Sequence, residues 1–579
     1  MNIYNLLKQD IIAAISKIIP NILSNDTKSV VVEMPKDASN GDLSTNAAMV
    51  LSKIAGKSPR ELATILVSNL SNIDYITDME IAGPGFINFR IHPSKWYEEA
   101  QEILDSKIKY GSCNIGSGIK VNLEYASPNP TGPMHIGHAR GAVYGDSLSR
   151  LLQKCGYQVT KEYYINDAGG QVIDLAKTVF LRYKEAYTGK EVEIPAGLYP
   201  GDYLKPIGAM LSKEFGDKFL KLTEEEYLPI IKNFAIKEML KLIKEDLAKL
   251  GICHDVFSSE QSLYDDKKVE AAIDELTKLG LVYEGTLPPP KGEQQDDWEE
   301  RPQLLFKSTE FGDDIDRPLQ KSDKSWTYFA GDIGYTADKI SRGFNCIILA
   351  LGADHGGYVK RIKAVIQALG KGAVTSDIKL CQLVNFVENG VPIKMSKRAG
   401  SFLTANDVVS EVGKDIVRFM MLSRKNDIVL DFDLAKVREQ SKDNPVFYVQ
   451  YAYVRTKSIL AGAKLQIPEA VESLEKKEID WNLLSSKEEL DLIKMLGSFP
   501  KMVEGAAVNF EPHRVAFYLQ SVASSFHSLW NLGKENNDYR FIIENDAKLT
   551  TARLALVSAV AEVINAGFDI IGIDLVEKM

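Results

Sequence analysis

Residues 120–167 contain the pattern that most restricts the fold of this chain, because a strand, a loop, a helix and a second strand follow one another there. The segment KVNLEYASPNP at 120–130 begins as a strand and ends in a loop broken by two prolines. The segment at 135–156 has apolar residues at helical spacing and stops at Gly156, and YQVTKEYYIND at 157–167 is a second strand. Two strands joined through a helix form a right-handed parallel crossover, which predicts a Rossmann-like, doubly wound parallel sheet of the α/β class.

The rest of the chain divides around this unit. The strand-like segments FNCIILALGADHGG at 344–357 and IKLCQLVNFVENG at 378–390 predict more strands of the same sheet. Residues of about 178–325 are too many for a loop and predict an inserted subdomain. We therefore expect a small α+β domain at 1–110, a Rossmann-type domain at 115–433 and an all-α domain at 434–579.

Composition limits the class of protein. With 579 residues, 45% of them hydrophobic and 26% charged, the chain is long enough for several buried cores and resembles soluble globular proteins. The net charge of −10 excludes a globally basic nucleic-acid binder but leaves room for a local basic groove. Five widely spaced cysteines without a CxxC pair indicate a reducing compartment and no protein-bound zinc. Without a signal peptide or an unbroken apolar run of ~18 residues, we expect a cytoplasmic protein that does not span a membrane.

The first motif with chemical meaning lies where the first strand leads into the helix. His135 and His138 are three residues apart on the first helical turn and face the same way, and Gly137 between them lets a flat base approach the backbone. Helix N-termini at the carboxyl edge of a parallel sheet bind anions, so these residues can hold a nucleotide phosphate and an adenine ring. Two alternatives stay open, namely a metal-binding pair and capped surface histidines, although no carboxylate or cysteine stands at ligand spacing.

The second motif is a short basic loop, Lys394-Met395-Ser396-Lys397. A run of charges is usually a solvated face, but two flexible lysines with a small serine between them can also hold polyphosphate oxygens. Together the two motifs indicate in-line attack at an α-phosphate, with fixed cations countering the charge that develops on pyrophosphate.

With these motifs the chain resembles the class I aminoacyl-tRNA synthetases and, more narrowly, the arginyl-tRNA synthetases. The family's KMSKS loop is present with Arg398 in place of the final serine, which leaves both lysines intact. The resemblance extends over residues 1–579 and rests further on IAGPGFIN at 81–88, EYASPN at 124–129, YFAGD at 328–332, GADH at 352–355 and QYAYVR at 450–455. It implies a monomeric ligase that activates L-arginine with ATP and Mg²⁺ to arginyl-adenylate and pyrophosphate, and then esterifies the 3′-terminal ribose of tRNA(Arg).

A pocket for arginine requires carboxylates arranged around the planar guanidinium fork. Tyr328 and Asp332 are four residues apart in a helical turn and share a face, and Glu124 ends the first strand across the cleft. The resemblance implies that these three residues and Asn129 contact arginine, with Asn129 near the α-carboxylate or amine, and Ser127 completes the predicted set. Alternatively, Asp332 is an ordinary acid at a helix N-terminus.

The predicted nucleotide site combines both motifs with the end of another strand. His135, His138, Lys394 and Lys397 are expected to stabilise the phosphates in the transition state, and the resemblance places Asp354 and His355 near the substrate or the adenosine. His355 can equally be a loop histidine. The full predicted ATP-binding set is His135, Gly137, His138, Asp354, His355, Lys394, Met395, Ser396 and Lys397.

The predicted tRNA contacts lie in a basic stretch at 434–464, where aromatic residues alternate with lysines and arginines. Aromatic side chains stack on unpaired bases, although a stripe at helical spacing is more often core. We expect Tyr448, Tyr451, Arg455 and Lys457 to bind tRNA. The resemblance further implies that the C-terminal domain reads the anticodon and that the N-terminal domain touches the corner of the tRNA.

Two other functions are compatible with parts of the sequence. One is a class I synthetase for another amino acid, or a related ligase without tRNA charging. The other is a tRNA- or metal-binding protein on a decayed synthetase scaffold. The acidic pocket, the full-length C-terminal domain and the intact lysines and histidines of both motifs argue against them.

Overall fold

The computed structural model describes residues 2–287, 301–393, 403–439 and 444–578. The chain forms two compact units, of which one contains Met1–Cys113, Ser441–Ile570 and Asp574–Met579 and the other contains Asn114–Gln440 and Ile571–Ile573. The helices are α1 (Ile3–Ile18), α2 (Ala47–Ala55), α3 (Pro59–Leu70), α4 (Pro93–Ser106), α5 (Ile136–Lys154), α6 (Gly170–Thr188), α7 (Lys205–Phe215), α8 (Glu224–Lys249), α9 (Glu260–Asp265), α10 (Lys268–Lys278), α11 (Tyr328–Ser341), α12 (Val359–Gly370), α13 (Ala405–Val412), α14 (Lys414–Met421), α15 (Leu434–Arg438), α16 (Pro445–Gln466), α17 (Pro468–Glu475), α18 (Lys487–Gly497), α19 (Phe499–Asn509), α20 (His513–Glu535) and α21 (Ala547–Ile571). The strands are β1 (Val32–Glu33), β2 (Leu43–Thr45), β3 (Ile76–Ala82), β4 (Phe86–Ile91), β5 (Lys120–Tyr125), β6 (Gln158–Ile165), β7 (Val256–Ser259), β8 (Val282–Gly285), β9 (Gln303–Phe306), β10 (Arg317–Pro318), β11 (Cys346–Gly352), β12 (Thr375–Cys381), β13 (Val384–Glu388), β14 (Val391–Pro392) and β15 (Leu430–Asp433).

The central sheet has the strand order β12-β11-β5-β6-β7, and every neighbouring pair is parallel. The chain proceeds from β5 outward through β6 and β7, and then returns to the other side of β5 with β11 and β12. The order therefore reverses between β5 and β11. In doubly wound sheets the ligand crevice lies outside the carboxyl ends of the strands at this point. The predicted Rossmann-like fold is confirmed.

Helix α5 lies tightly against the carboxyl end of β5. A Cβ atom on Gly145 of α5 would come within 2.1 Å of the Tyr125 ring, so only glycine fits at this crossing. Ala126, the residue after β5, has a φ of +51°, in the left-handed region that non-glycine residues rarely adopt. This turn carries the chain out of the sheet and toward the start of α5.

The predicted insertion at about 178–325 is not one continuous body. Helices α6, α7 and α8 enclose their own apolar core, which includes Val179, Leu204 and Ile231. Strand β7 then returns to the central sheet, parallel to β6, and the antiparallel strands β8, β9 and β10 follow it. The four residues of β7 are too few to show a strand period within a helix-rich stretch, which explains why the sequence did not reveal them.

The segment IKLCQLVNFVENG, predicted as part of the same sheet, forms two strands in different sheets. Strand β12 joins the central sheet, whereas β13 pairs with β14 and β15. Asn426 separates the two strands, since its side chain donates to the Leu380 carbonyl and its carbonyl accepts from Gln382 N. These bonds from a residue distant in sequence end the first strand, and no local pattern predicts them.

The other unit joins the first and last parts of the chain. Strands β1 to β4 form an antiparallel sheet of order β1-β2-β4-β3, which confirms the predicted α+β domain. The described residues 444–578 are almost entirely helical, which confirms the predicted all-α domain. Tyr97 of α4 donates to the Leu484 carbonyl at 2.8 Å, and Lys494 of α18 pairs with Asp42 at 2.6 Å. The N-terminal and C-terminal segments are thus packed together.

Helix α21 is the one described helix that is long and apolar enough to cross a membrane. However, 78% of its most apolar window is buried inside the protein. A core helix of a globular domain can have the same length and composition, and its apolar side chains are buried against the rest of the domain as they are here.

Candidate active site

The two histidines of the first motif cap helix α5 reciprocally. His135 is the N-cap residue, and its Nδ1 accepts from Gly137 N at 2.9 Å. His138 Nδ1 accepts in turn from His135 N at 3.2 Å. The ring centroids are 6.0 Å apart and the ring planes are inclined at 72° to each other. Because each Nδ1 accepts a backbone N–H, a neutral ring carries its proton on Nε2 and presents an Nε2–H donor.

Buried polar groups hold the loop between β5 and α5. Met134 N donates to Asp246 Oδ2 of α8 at 2.9 Å, and burial raises the pKa of Asp246. Ser127 Oγ accepts from Tyr164 N at 3.0 Å, and Tyr163 Oη donates to the Pro128 carbonyl at 2.5 Å. The loop that ends in the histidine pair is therefore fixed by bonds to β6 and α8. In the described ranges, no group of three or more His, Cys, Asp or Glu side chains is arranged to hold a metal.

The second motif, Lys394, Met395, Ser396 and Lys397, lies outside the described residues. The chain is described again from Leu403, whose carbonyl accepts from Ile136 N at 3.1 Å. Ala405 N donates to the Met134 carbonyl at 2.8 Å, and Thr404 forms an antiparallel bridge with His135. The chain that leaves the second motif is therefore bonded directly to the first.

A cluster of carboxylates lies at the carboxyl end of β5. Glu124 is buried there, and its Oε2 accepts from Lys339 Nζ at 2.5 Å. Burial and then the negative charges of Glu124 and Glu260 raise the pKa of Asp332 on α11 to about 7. Asp332 Oδ2 is buried and has no hydrogen-bond partner among the described residues. The cluster therefore has negative charge and an acceptor that a cationic donor would satisfy.

Glu260 is a member of this cluster that the sequence did not reveal. It is buried and directly follows β7. Burial and, to a smaller extent, the negative charge of Asp167 raise the pKa of Glu260. Gly331 leaves space beside it, since a Cβ there would lie 3.8 Å from Glu260 Oε1 and 2.8 Å from Tyr264 Oη. A polar residue at the carboxyl end of a parallel strand is the signal that finds such a site. That signal was lost because β7 was not recognised as a strand.

The other predicted arginine and ATP residues are more exposed. Tyr328, the first residue of α11, is 68% exposed, and Lys321 Nζ lies 5.7 Å from its ring centre. Asn129 is exposed and donates through Nδ2 to Gln171 Oε1 at 2.8 Å. Asp354 and His355 lie in an exposed 3-10 turn directly after β11. The structure thus brings Glu124 and Asp332 together and leaves these other residues at the surface.

The predicted tRNA-binding residues all lie on α16. The Arg455 guanidinium is 4.4 Å from the Tyr451 ring and 5.0 Å from the Trp530 ring, and its Nη1 donates to His527 Nδ1 at 2.7 Å. The Tyr448 ring packs against the His527 ring at 4.6 Å, and burial lowers the pKa of His527. Arg455 and Tyr448 are therefore half-buried members of a cluster with Trp530 and His527.

Tyr451 and Lys457 differ from these two residues in exposure. Tyr451 is partly exposed, although its hydroxyl accepts from Arg455 Nη2 at 2.7 Å. Lys457 is exposed, and its Nζ lies 5.0 Å over the Tyr453 ring. Both residues present atoms to solvent that a large partner can reach.

Comparison with known proteins relates every part of the chain to one family. Family models described as "Arginyl tRNA synthetase N terminal domain", "tRNA synthetases class I (R), catalytic domain" and "DALR anticodon binding domain" match residues 5–91, 99–441 and 449–579. The chain is 56% identical to the Arginine--tRNA ligase of Rickettsia felis and 56% identical to that of Rickettsia bellii, each over 100% of both chains. The solved Thermus thermophilus arginyl-tRNA synthetase has the same fold, with a TM-score of 0.73 over 100% of both chains at 18% identity.

These matches confirm the family, the enzyme class and the reaction that the sequence predicted. They favour arginine over another amino acid and an enzyme over a decayed scaffold. Since they follow one another in domain order along the whole length, the chain belongs to the class I arginyl-tRNA synthetases, the enzymes that activate arginine with ATP and transfer it to tRNA(Arg).

Proposed function

We propose that Glu124, Asp332 and Glu260 bind the guanidinium of arginine at the carboxyl end of the central sheet. The buried, unpartnered Asp332 Oδ2 carries this proposal. A guanidinium supplies the missing donor and the positive charge, and its planar fork bonds carboxylates in pairs. An amino acid without this fork leaves buried acceptors unpaired, which is a sufficient penalty to reject it without editing.

The α-amino and carboxylate groups of arginine are proposed to lie nearer the rim, beside Asn129 and Tyr328. Both side chains are exposed, as contacts to the polar end of a substrate must be before it binds. Ser127 serves this rim indirectly, because its hydroxyl accepts a backbone N–H of β6 and so holds the loop that carries Asn129.

In the activation step, an oxygen of the arginine carboxylate attacks the α-phosphorus of Mg-ATP and pyrophosphate leaves with the bonding electron pair. The Nε2–H groups of His135 and His138 are proposed to donate to phosphate oxygens, as their capped Nδ1 atoms support. Lys394 and Lys397, with Met395 and Ser396 between them, are proposed to close over the β- and γ-phosphates. Exposed Gly137 lets the adenine approach, and Asp354 and His355 border the nucleotide after β11.

In the transfer step, a hydroxyl of the 3′-terminal ribose attacks the carbonyl carbon of arginyl-adenylate, and AMP leaves. We propose that Tyr451 and Lys457 contact the tRNA directly and that Tyr448 and Arg455 shape the surface beneath them. The anticodon-binding description of the matching C-terminal family model supports a tRNA contact in this domain, and the greater exposure of Tyr451 and Lys457 supports the division. The N-terminal α+β domain is proposed to contact the corner of the tRNA. We further propose a cytoplasmic monomer without a membrane span or bound zinc.

Substitution of Asp332 tests the arginine pocket. In Asp332→Asn we expect the KM for arginine in aminoacylation of total tRNA to rise about 100-fold or more, because one charged partner of the guanidinium is lost. The matched control is Asp338→Asn on the same helix, which removes a carboxylate paired with Lys268 at 2.9 Å and Arg342 at 3.1 Å and should leave this KM within about threefold. An unchanged arginine KM in Asp332→Asn would overturn the assignment of the pocket.

A further inference from the structure

We propose that Lys339 is a positioning residue for arginine specificity, because its ammonium holds one oxygen of Glu124 and keeps the acidic cluster charged for the substrate. This inference rests on the proposed arginine pocket. It adds to that pocket a cation that does not touch the substrate and acts through Glu124.

The contacts of Lys339 are those of an enclosed ion pair. The residue is 2% exposed, and Nζ lies 2.5 Å from Glu124 Oε2 and 4.1 Å from the centre of the Tyr335 ring. Tyr335 Oη donates at 2.9 Å to Glu162 Oε1, on the strand beside Glu124. Burial raises the pKa of Glu162, but the charge of Lys339, bonds from Ser258 and Asn122 and the charge of Arg342 together hold it below its usual value. Lys339 therefore lies between two buried carboxylates of neighbouring strands.

Helix geometry connects Lys339 to the substrate-facing side of the cluster. Asp332 and Lys339 are seven residues apart on α11, so two helical turns place them on one face. Lys339 is also one of the two cations that hold down the pKa of Asp332 against burial and the other acids. The charged and titratable groups around it are Glu124 on β5, Glu162 and Tyr164 on β6, Glu260 on α9, Asp332, Tyr335 and Arg342 on or at the end of α11, and Arg361 on α12.

The ion pair has two consequences for arginine binding. With Oε2 held by Lys339, Glu124 has one oxygen left for a guanidinium N–H, and its orientation is fixed before the substrate arrives. Three carboxylates close together in a dry pocket cannot all stay ionised without a neighbouring cation. Lys339 and Arg361 supply positive charge there, which limits how far the pKa of Asp332 rises, so at neutral pH fewer protons must leave the pocket when arginine binds.

Substitutions at Lys339 separate charge from packing. Lys339→Gln keeps an N–H donor for Glu124 but removes the charge, whereas Lys339→Arg keeps the charge. By calorimetry at pH 7 we expect the Kd for arginine to rise about tenfold or more in Lys339→Gln. The pH at which binding is half-maximal should move upward, and kcat at saturating arginine should stay within about threefold. Lys339→Arg should bind arginine within about threefold of the unsubstituted protein, with the same pH profile.

Lys268→Gln is the matched control, since Lys268 pairs at 2.9 Å with Asp338, the neighbour of Lys339 on α11, whereas Glu124 pairs with Lys339. It should leave arginine binding unchanged. If folded Lys339→Gln binds arginine with the normal affinity and pH profile, or if folded Lys339→Arg loses binding, the inference is wrong. Thermal unfolding establishes folding, and if Lys339→Gln does not fold, Lys339→Arg alone decides. If the proposed arginine pocket itself is wrong, Asp332→Asn binds arginine normally. If only the role of Lys339 is wrong, Asp332→Asn still binds arginine weakly.

Discussion

At the scale of single residues, the raised pKa of Asp332 predicts how arginine affinity depends on pH. The carboxyl group has a pKa of about 7 because of burial, Glu124 and Glu260, and a bound guanidinium must lower that pKa. Binding therefore releases a proton below pH 7, and the Kd for arginine should rise by up to about tenfold for each pH unit below 7.

Calorimetry at pH 6 and pH 8 in buffers of different ionisation enthalpy measures both the affinity and the released proton. Arginine keeps its charge throughout this range, so the dependence belongs to the protein. The same titration of Asp332→Asn should show weak binding without this dependence. An equal Kd at both pH values in the unsubstituted protein contradicts the prediction.

The capped histidines give a second prediction at this scale. Asparagine can accept the His135 N–H as His138 does, but it has no Nε2–H for a phosphate oxygen. We expect His138→Asn to fold normally and to lose about 100-fold or more in the rate of adenylate formation, typical of removing one donor to a developing charge. Its Kd for arginine should not change. Single-turnover kinetics with tRNA present measures this rate. A normal rate of adenylate formation with only a weaker affinity for ATP would contradict the proposed role of His138.

The residues differ in how far the sequence alone predicts them. Glu124 and His135 flank a loop between a recognisable strand and helix, so their meeting at one sheet edge follows from local pattern. Glu260 follows a strand of four residues whose place in the sheet is set by pairing with β6, which no local period reveals. Lys339 has the pattern of a solvated helix residue, and only the tertiary fold shows that its ammonium is enclosed beside Glu124.

At the scale of elements, the inserted helix α8 supports the histidine loop through Asp246. Removing this carboxylate leaves the buried Met134 N–H without its acceptor. The loss lowers the free energy of unfolding by about 1–3 kcal/mol and loosens the start of α5. In Asp246→Ala we expect kcat for aminoacylation to fall about tenfold or more with a smaller change in arginine KM.

Asp246→Asn keeps an oxygen acceptor and should recover most of the activity. Steady-state kinetics of both variants, with thermal unfolding as a check of folding, make this comparison. Equal losses in the two variants would show that the negative charge, and not the bond to Met134, matters.

The elements also show where sequence patterns fail. Asn426 divides IKLCQLVNFVENG between two sheets through hydrogen bonds that form only in the folded chain.

At the scale of the whole molecule, the charge of −10 opposes the binding of a polyanion such as tRNA. Affinity must therefore come from local cations that displace counterions from phosphates, and each such contact adds to the salt dependence of binding. The proposed arginine pocket is a buried cluster of charges, whose interactions salt screens much less. The KM for tRNA should thus rise steeply between low and physiological salt while the KM for arginine changes little.

Lys457 is the exposed cation of α16 on which this expectation is best tested. Lys457→Ala should reduce the slope of log Kd for tRNA against log salt by about 1 if the lysine binds a phosphate. The control is Lys487→Ala on α18, where Asp491 already pairs with the lysine at 2.6 Å, so little phosphate contact is lost. Filter binding of tRNA at several salt concentrations measures the slopes. If Lys457→Ala gives the same slope as Lys487→Ala and the unsubstituted protein, Lys457 does not bind a phosphate, and its assignment as a tRNA contact is wrong.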